Sequence, residues 1–196
     1  MNKFLNKTTQ ESMAPGRIRM AYEHRYETDS FGTLSAAGHA ALPQSIRNRP
    51  TQHEIRLRTS VNNRDGSIIA RIVKIPLGDL HIFNPTEPYD CRISMNLEVN
   101  FDRPDLDPET LIEHDNKAPP PARKKDRLSY KHLAYSVDLT KVEVKGLAPK
   151  YELELEVDSH ILREQMSLLQ QHRPSGFGDV VSGFLDNATF LMRQRQ

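Results

Sequence analysis

Apolar and polar residues alternate with a period of two through most of the middle of the chain, which predicts half-buried β-strands rather than helices. The cleanest run covers residues 89–99, with Cys91, Ile93, Met95, Leu97 and Val99 on one face and Arg92, Ser94, Asn96 and Glu98 on the other. Residues 55–58 alternate in the same way. Further on, Lys125, Arg127, Ser129 and Lys131 oppose Leu128 and Tyr130, and Ser136, Asp138 and Thr140 oppose Tyr135, Val137 and Leu139. A last run sets Glu152, Glu154 and Glu156 against Tyr151, Leu153, Leu155 and Val157. Residues 68–75 and 80–83 are more hydrophobic and predict a hairpin turning near Gly78-Asp79.

Two stretches, 32–50 and 101–124, lack sustained periodicity and are rich in turn-forming residues, so both are expected to be flexible loops. The chain then changes period. Leu162, Met166 and Leu169 predict a helix over 159–172. Val180, Val181, Phe184, Leu185, Ala188 and Leu191 predict a second, with Asp179 as its N-cap. Antiparallel strands followed by helices give an α+β fold, expected as a single domain over residues 1–196.

Composition narrows the function. The net charge is +1, so bulk electrostatics gives no argument for nucleic-acid binding and any basic surface must be local. Cys91 is the single cysteine. An intramolecular disulfide and a cysteine-based zinc cluster are therefore excluded, and a reducing compartment is expected. No apolar stretch suits a signal peptide or a membrane span, and a soluble intracellular protein is expected. Gly176-Phe177-Gly178 lacks the lysine and hydroxyl residue of a P-loop.

The polar faces carry the chemistry. Their signs are segregated strand by strand: one offers only Glu152, Glu154 and Glu156, another Lys125, Arg127 and Lys131, and a third Arg56 and Arg58. Same-face neighbours on a strand lie roughly 7 Å apart. A row of three carboxylates repels itself unless cations or a metal sit against it. Periodicity alone leaves two readings open, a solvated sheet face or a hard-oxygen site for Mg²⁺ or Mn²⁺ beside basic groups that grip phosphate.

Ordered motifs add specificity. Residues 125–132 (KDRLSYKH), 136–142 (SVDLTKV) and 151–156 (YELELE) resemble the fungal RNA 5′-triphosphatase, the β subunit of the mRNA capping enzyme. Residues 89–98 (YDCRISMNLE) resemble the same family's D-W-R-I-S-x-N-x-E strand, and residues 27–31 and 72–74 match in order.

The resemblance implies a triphosphate tunnel: an eight-stranded antiparallel barrel with a hydrophilic interior and C-terminal helices. Its activity would be removal of the γ-phosphate from the 5′ end of nascent RNA, using Mg²⁺ or Mn²⁺. The mRNA guanylyltransferase is then the implied partner, a homodimer the implied assembly and the nucleus the implied location. By motif, Glu156 would be a metal ligand. Glu154 and Asp138 would hold the metal's waters or position the attacking water, and Glu152 and Glu98 would orient basic groups. Lys125 and Arg127 would grip the γ-phosphate, assisted by Lys74 and by either Arg56 or Arg58. Ser136 stands where the family carries a basic residue.

One departure matters. The family's first barrel strand carries a Glu-x-Glu pair of metal ligands, whereas Glu11 is the single acidic residue among residues 1–20. Residues 2–7 instead resemble the helical segment after that strand. The expectation is a chain that begins inside the family domain, with one strand missing from the barrel and an open edge. An enzyme and a catalytically incomplete binding relative both remain as readings.

Overall fold

The computed structural model describes residues 1–49, 54–86, 89–113 and 119–194. Its strands are β1 (Ala21–Thr33), β2 (Arg56–Asn62), β3 (Ile68–Ile82), β4 (Cys91–Asn100), β5 (Arg123–His132), β6 (Tyr135–Val144) and β7 (Lys150–Val157). They form one antiparallel sheet in the order β4-β3-β2-β1-β5-β6-β7. The helices are α1 (Asn2–Glu11), α2 (Ala36–Ala41), α3 (Gln44–Arg47), α4 (Ser159–Gln170) and α5 (Phe177–Met192), with a 3₁₀ turn at Pro108–Thr110.

The sheet is curled. Arg92 of β4 and Glu152 of β7, from its two outermost strands, line the same cavity. In a flat sheet those strands would stand about 29 Å apart, at the usual strand spacing. The result is a half-barrel whose β4 and β7 edges carry no further strand among the described residues.

Alternation decides which side is which. On the convex side Leu57, Val73 and Ile75 pack under Leu42, Ile46, Leu34, Phe101 and Leu111, forming the main hydrophobic cluster. α2 lies directly on the chain at Leu111, and Gly38 permits this because a Cβ there would collide with the Leu111 carbonyl. α1 covers the back of β5, where the buried Tyr130 hydroxyl lies 2.8 Å and 2.7 Å from the side-chain oxygens of Asn2 and Asn6. Phe4 and Phe190 bring α1 against α5, with ring centroids 5.4 Å apart. The Tyr135 hydroxyl donates to the Val180 carbonyl at 2.9 Å and ties β6 to α5.

Several local expectations need correction. Residues 68–83 do not form a hairpin. β3 runs continuously to Ile82 beside β4, and a bulge between Pro76 and Gly78 absorbs the irregularity. Leu77 is the extra residue, and Gly78 and Asp79 pair with Met95 and Ser94 instead of reversing the chain. The stretch 32–50 holds α2 and α3, too short for a periodic signal, and Ile46 anchors α3 in the core. Pro50 and residues 114–118, parts of the two expected loops, lie outside the described residues. Asp179 sits in the first turn of α5, whose N-cap is Gly176.

Candidate functional site

β1 is the strand that periodicity did not single out, and it sits at the centre of the sheet. Its inward residues mix signs: Glu23, Arg25, Glu27 and Asp29, then Phe31. Both neighbours present basic groups to it. Lys125 Nζ stands 2.7 Å from Asp29 Oδ2. The Ser60 hydroxyl of β2 donates to Asp29 Oδ1 at 2.6 Å. Burial alone would raise the Asp29 carboxyl, but Lys125, Ser60 and the Arg58 charge outweigh it and hold the pKa below the ordinary aspartate value.

Arg127 lies one inward position along β5. Its Nη1 donates to Asp138 Oδ2 of β6 at 2.6 Å, and its Nε stands 3.3 Å from Glu27 Oε1 of β1. Burial opposes its charge. The carboxylates of Glu27, Asp138 and Glu154 more than compensate, so the guanidinium pKa rises further. One hydrogen bond and one ion pair therefore hold the guanidinium between carboxylates of the two flanking strands, and its Nε lacks a hydrogen-bond partner among the described residues.

The register of β6 and β7 sets Asp138 opposite Glu154, Ser136 opposite Glu156 and Thr140 opposite Glu152. Burial by the curled wall raises the Glu156 pKa although β7 is an edge strand and Glu156 keeps solvent contact. The charges of Glu154 and Asp138 raise it further, against the pull of Lys74 and Arg127. That Lys74, on β3, influences Glu156, on β7, again reflects the curl. Lys74 Nζ also pairs with Glu98 Oε1 of β4 at 3.4 Å.

Arg56, Arg58, Lys74, Lys125, Glu152 and Glu154 all line one cavity of about 820 Å³. The two arginines differ in their commitments. Arg56 Nε and Nη2 both donate to Glu54 Oε2, at 3.1 Å and 3.0 Å. Arg58 Nε is buried without a hydrogen-bond partner among the described residues, as are Ser129 Oγ and Thr140 Oγ1 elsewhere on the same wall. Such atoms are costly in a finished interior and are suited to meeting an anion or water.

The structure thus brings the sequence-selected residues Arg56, Lys74, Glu98, Lys125, Arg127, Asp138, Glu152, Glu154 and Glu156 onto one concave face. The residues that sequence reasoning missed are Glu27 and Asp29. They lie inside a stretch noted as a motif, but their mixed-sign face gave no segregated pattern. Toward a metal the fit is partial. Among the described residues, no three His, Cys, Asp or Glu side chains gather closely enough to hold an ion. Glu154 and Glu156 supply hard oxygen donors and a local excess of negative charge, but not a complete coordination sphere.

The comparisons with known proteins agree with this geometry. The family model described as "mRNA capping enzyme, beta chain" matches residues 1–196. The mRNA-capping enzyme subunit beta of Schizosaccharomyces pombe is 27% identical over 199 residues, covering 99% of this chain and 58% of that protein. Its Candida albicans counterpart is 33% identical over 168 residues, covering 84% of this chain and 29% of that protein. Among solved structures, the S. pombe Pct1 RNA triphosphatase in complex with the Spt5 CTD superimposes with a TM-score of 0.76 at 26% identity, covering 100% of this chain and 67% of that one. Thus the chain spans little more than half the length of the S. pombe subunit, and less of the C. albicans one.

Proposed function

The chain belongs to the mRNA capping enzyme beta-chain family, and from that premise we propose that it removes the γ-phosphate from the 5′-triphosphate end of nascent RNA. The observation that carries this reading is the meeting of oppositely charged strands on one concave wall. Carboxylates of β7 face a cavity also lined by Arg58, Lys74 and Lys125. Hydrolysis of a phosphoanhydride needs charge neutralisation and in-line positioning more than covalent chemistry.

In this reading Lys125, Arg127, Lys74 and Arg58 bind the phosphate oxygens, and Glu27, Asp29 and Glu98 hold three of those cations in place. The uncommitted Nε of Arg58 favours it over Arg56 for this role. Glu154 and Asp138 orient a water for attack on the γ-phosphorus. The new P–O bond forms as the bond from the γ-phosphorus to the bridging oxygen breaks, the diphosphate end leaves with the electron pair, and the proton lost by the water passes to solvent. Glu156 and Glu154 would contribute to holding Mg²⁺ or Mn²⁺, which when bound neutralises charge developing on the phosphate oxygens. Glu152 orients basic groups on the facing strands. Work in the nucleus beside an mRNA guanylyltransferase, as a homodimer, belongs to the same proposal.

The test is release of inorganic phosphate from triphosphate-ended RNA in manganese or magnesium. The expected result is release that disappears in Glu156→Ala; release unaffected by that change would reject the assignment.

A further inference from the structure

The cavity lining is mixed: Arg58, Lys74 and Lys125 share it with the apolar side chains Phe31, Ile72, Val144, Leu147 and Pro121. Phe31 and Arg123 stand near strand ends of β1 and β5, and Leu147, in the turn after β6, is 65% exposed, so this end of the sheet opens to solvent. The apolar groups have little to offer a phosphate and much to offer the uncharged remainder of a nucleotide.

At this end the Arg123 guanidinium lies over the Phe31 ring, 5.1 Å from its centroid. The arrangement follows from the register. Asp29 is the residue opposite Arg123 on β1, but its carboxylate is taken by Lys125 and Ser60. Arg123 is left to the neighbouring ring, where a cation–π contact holds the planar group. Both residues belong to the cavity lining. The Phe31 ring steadies the guanidinium, whose flat, delocalised surface is of the kind on which nucleic-acid bases stack.

The spacing suits a nucleotide. Inward positions on a strand are roughly 7 Å apart, so Arg123 stands about 14 Å along β5 from Arg127, with Lys125 between them. That separation is comparable with the reach from the terminal phosphate of a nucleoside triphosphate to its base. Resting on the proposed triphosphatase reading, we propose that Arg123 and Phe31 form the subsite for the first nucleoside of the substrate. The base stacks on the Arg123 plane at this end of the sheet while the triphosphate runs along Lys125 and Arg127.

The proposal separates two ligands that share a triphosphate. Binding of a triphosphate-ended dinucleotide and of inorganic tripolyphosphate is measured by calorimetry without divalent cation, so that neither is hydrolysed, for the wild type, Arg123→Lys and Phe31→Ala. Lysine keeps the charge and loses the plane. The expected result is tighter binding of the dinucleotide to the wild type, weakened about tenfold in either variant. Tripolyphosphate affinity should change less than twofold, which also shows that the variants are folded. Equal losses for both ligands, or a dinucleotide affinity untouched in both variants, overturn the subsite. Tripolyphosphate binding with no advantage for the dinucleotide overturns it too and leaves the triphosphatase reading standing. Failure of the wild type to bind either ligand removes both.

Discussion

Lys125 Nζ stands 2.7 Å from Asp29 Oδ2, an ion pair whose side chains are only 9% and 2% exposed. Few charges are so thoroughly withdrawn from water among the described residues, and the pair joins the central strand β1 to its neighbour β5. It can hold a cation ready for a phosphate because Asp29 carries the electrostatic cost of burial. A lone buried ammonium would tend to lose its proton.

Removing one partner should therefore be worse than removing both. Lys125→Met leaves Asp29 charged and buried, and should cost about 3–5 kcal/mol of stability by urea unfolding. The double variant Lys125→Met with Asp29→Leu should recover most of that loss. Additive losses would show that the pair is not the cause.

The same pair fixes a pH dependence. The Asp29 pKa is held below its ordinary value in the folded chain, so the unfolded chain takes up this proton more readily. Its contribution is present above about pH 4, the unfolded aspartate range, and fades as pH falls through the lower folded value. Between pH 5 and 3 the urea midpoint of the wild type should fall more steeply than that of Asp29→Asn. Parallel curves would contradict the assignment.

The two arginines of β2 should prove unequal. Arg58→Ala should lower kcat/KM for triphosphate hydrolysis about a hundredfold, as expected for a lost charge-stabilising donor. Arg56 is already held by Glu54, and Arg56→Ala should stay within about threefold. The reverse order in steady-state kinetics would exchange their roles.

Glu156 is crowded by Glu154 and Asp138, so neutralising it should help the cation-free protein. Solvent at the β7 edge screens that repulsion, and Glu156→Gln should raise Tm by only about 1–2 °C. Manganese should raise the Tm of the wild type and fail to do so for the variant. Equal stabilisation of both by manganese would remove Glu156 from the ion's surroundings.

How much of this was legible in the sequence depended on how uniform each face was. β7 and β4 present one kind of residue per face, and their alternation predicted both strand and orientation. β1 mixes Glu, Arg and Asp inward with Tyr22, His24 and Tyr26 outward, so neither face stands out by hydrophobicity. Its importance comes from partners supplied by β2 and β5, and register is a tertiary property. The β3 bulge was misread for a related reason, since Pro76 and Gly78 carry the same local signal in a bulge as in a turn. Glu156 was visible as one of three carboxylates. That β3 and β7 converge on it depends on sheet curvature, which no local pattern encodes.

The most direct test of the central claim is the position of phosphoanhydride cleavage in triphosphate-ended RNA labelled separately at the β- and γ-phosphates. With manganese or magnesium present, the γ label should appear as inorganic phosphate while the β label stays on a diphosphate-ended RNA. Arg127→Lys should slow this at least tenfold, by loss of the two-sided guanidinium clamp. Release of the β label as pyrophosphate, or metal-dependent γ release that survives Arg127→Lys unchanged, would contradict the account.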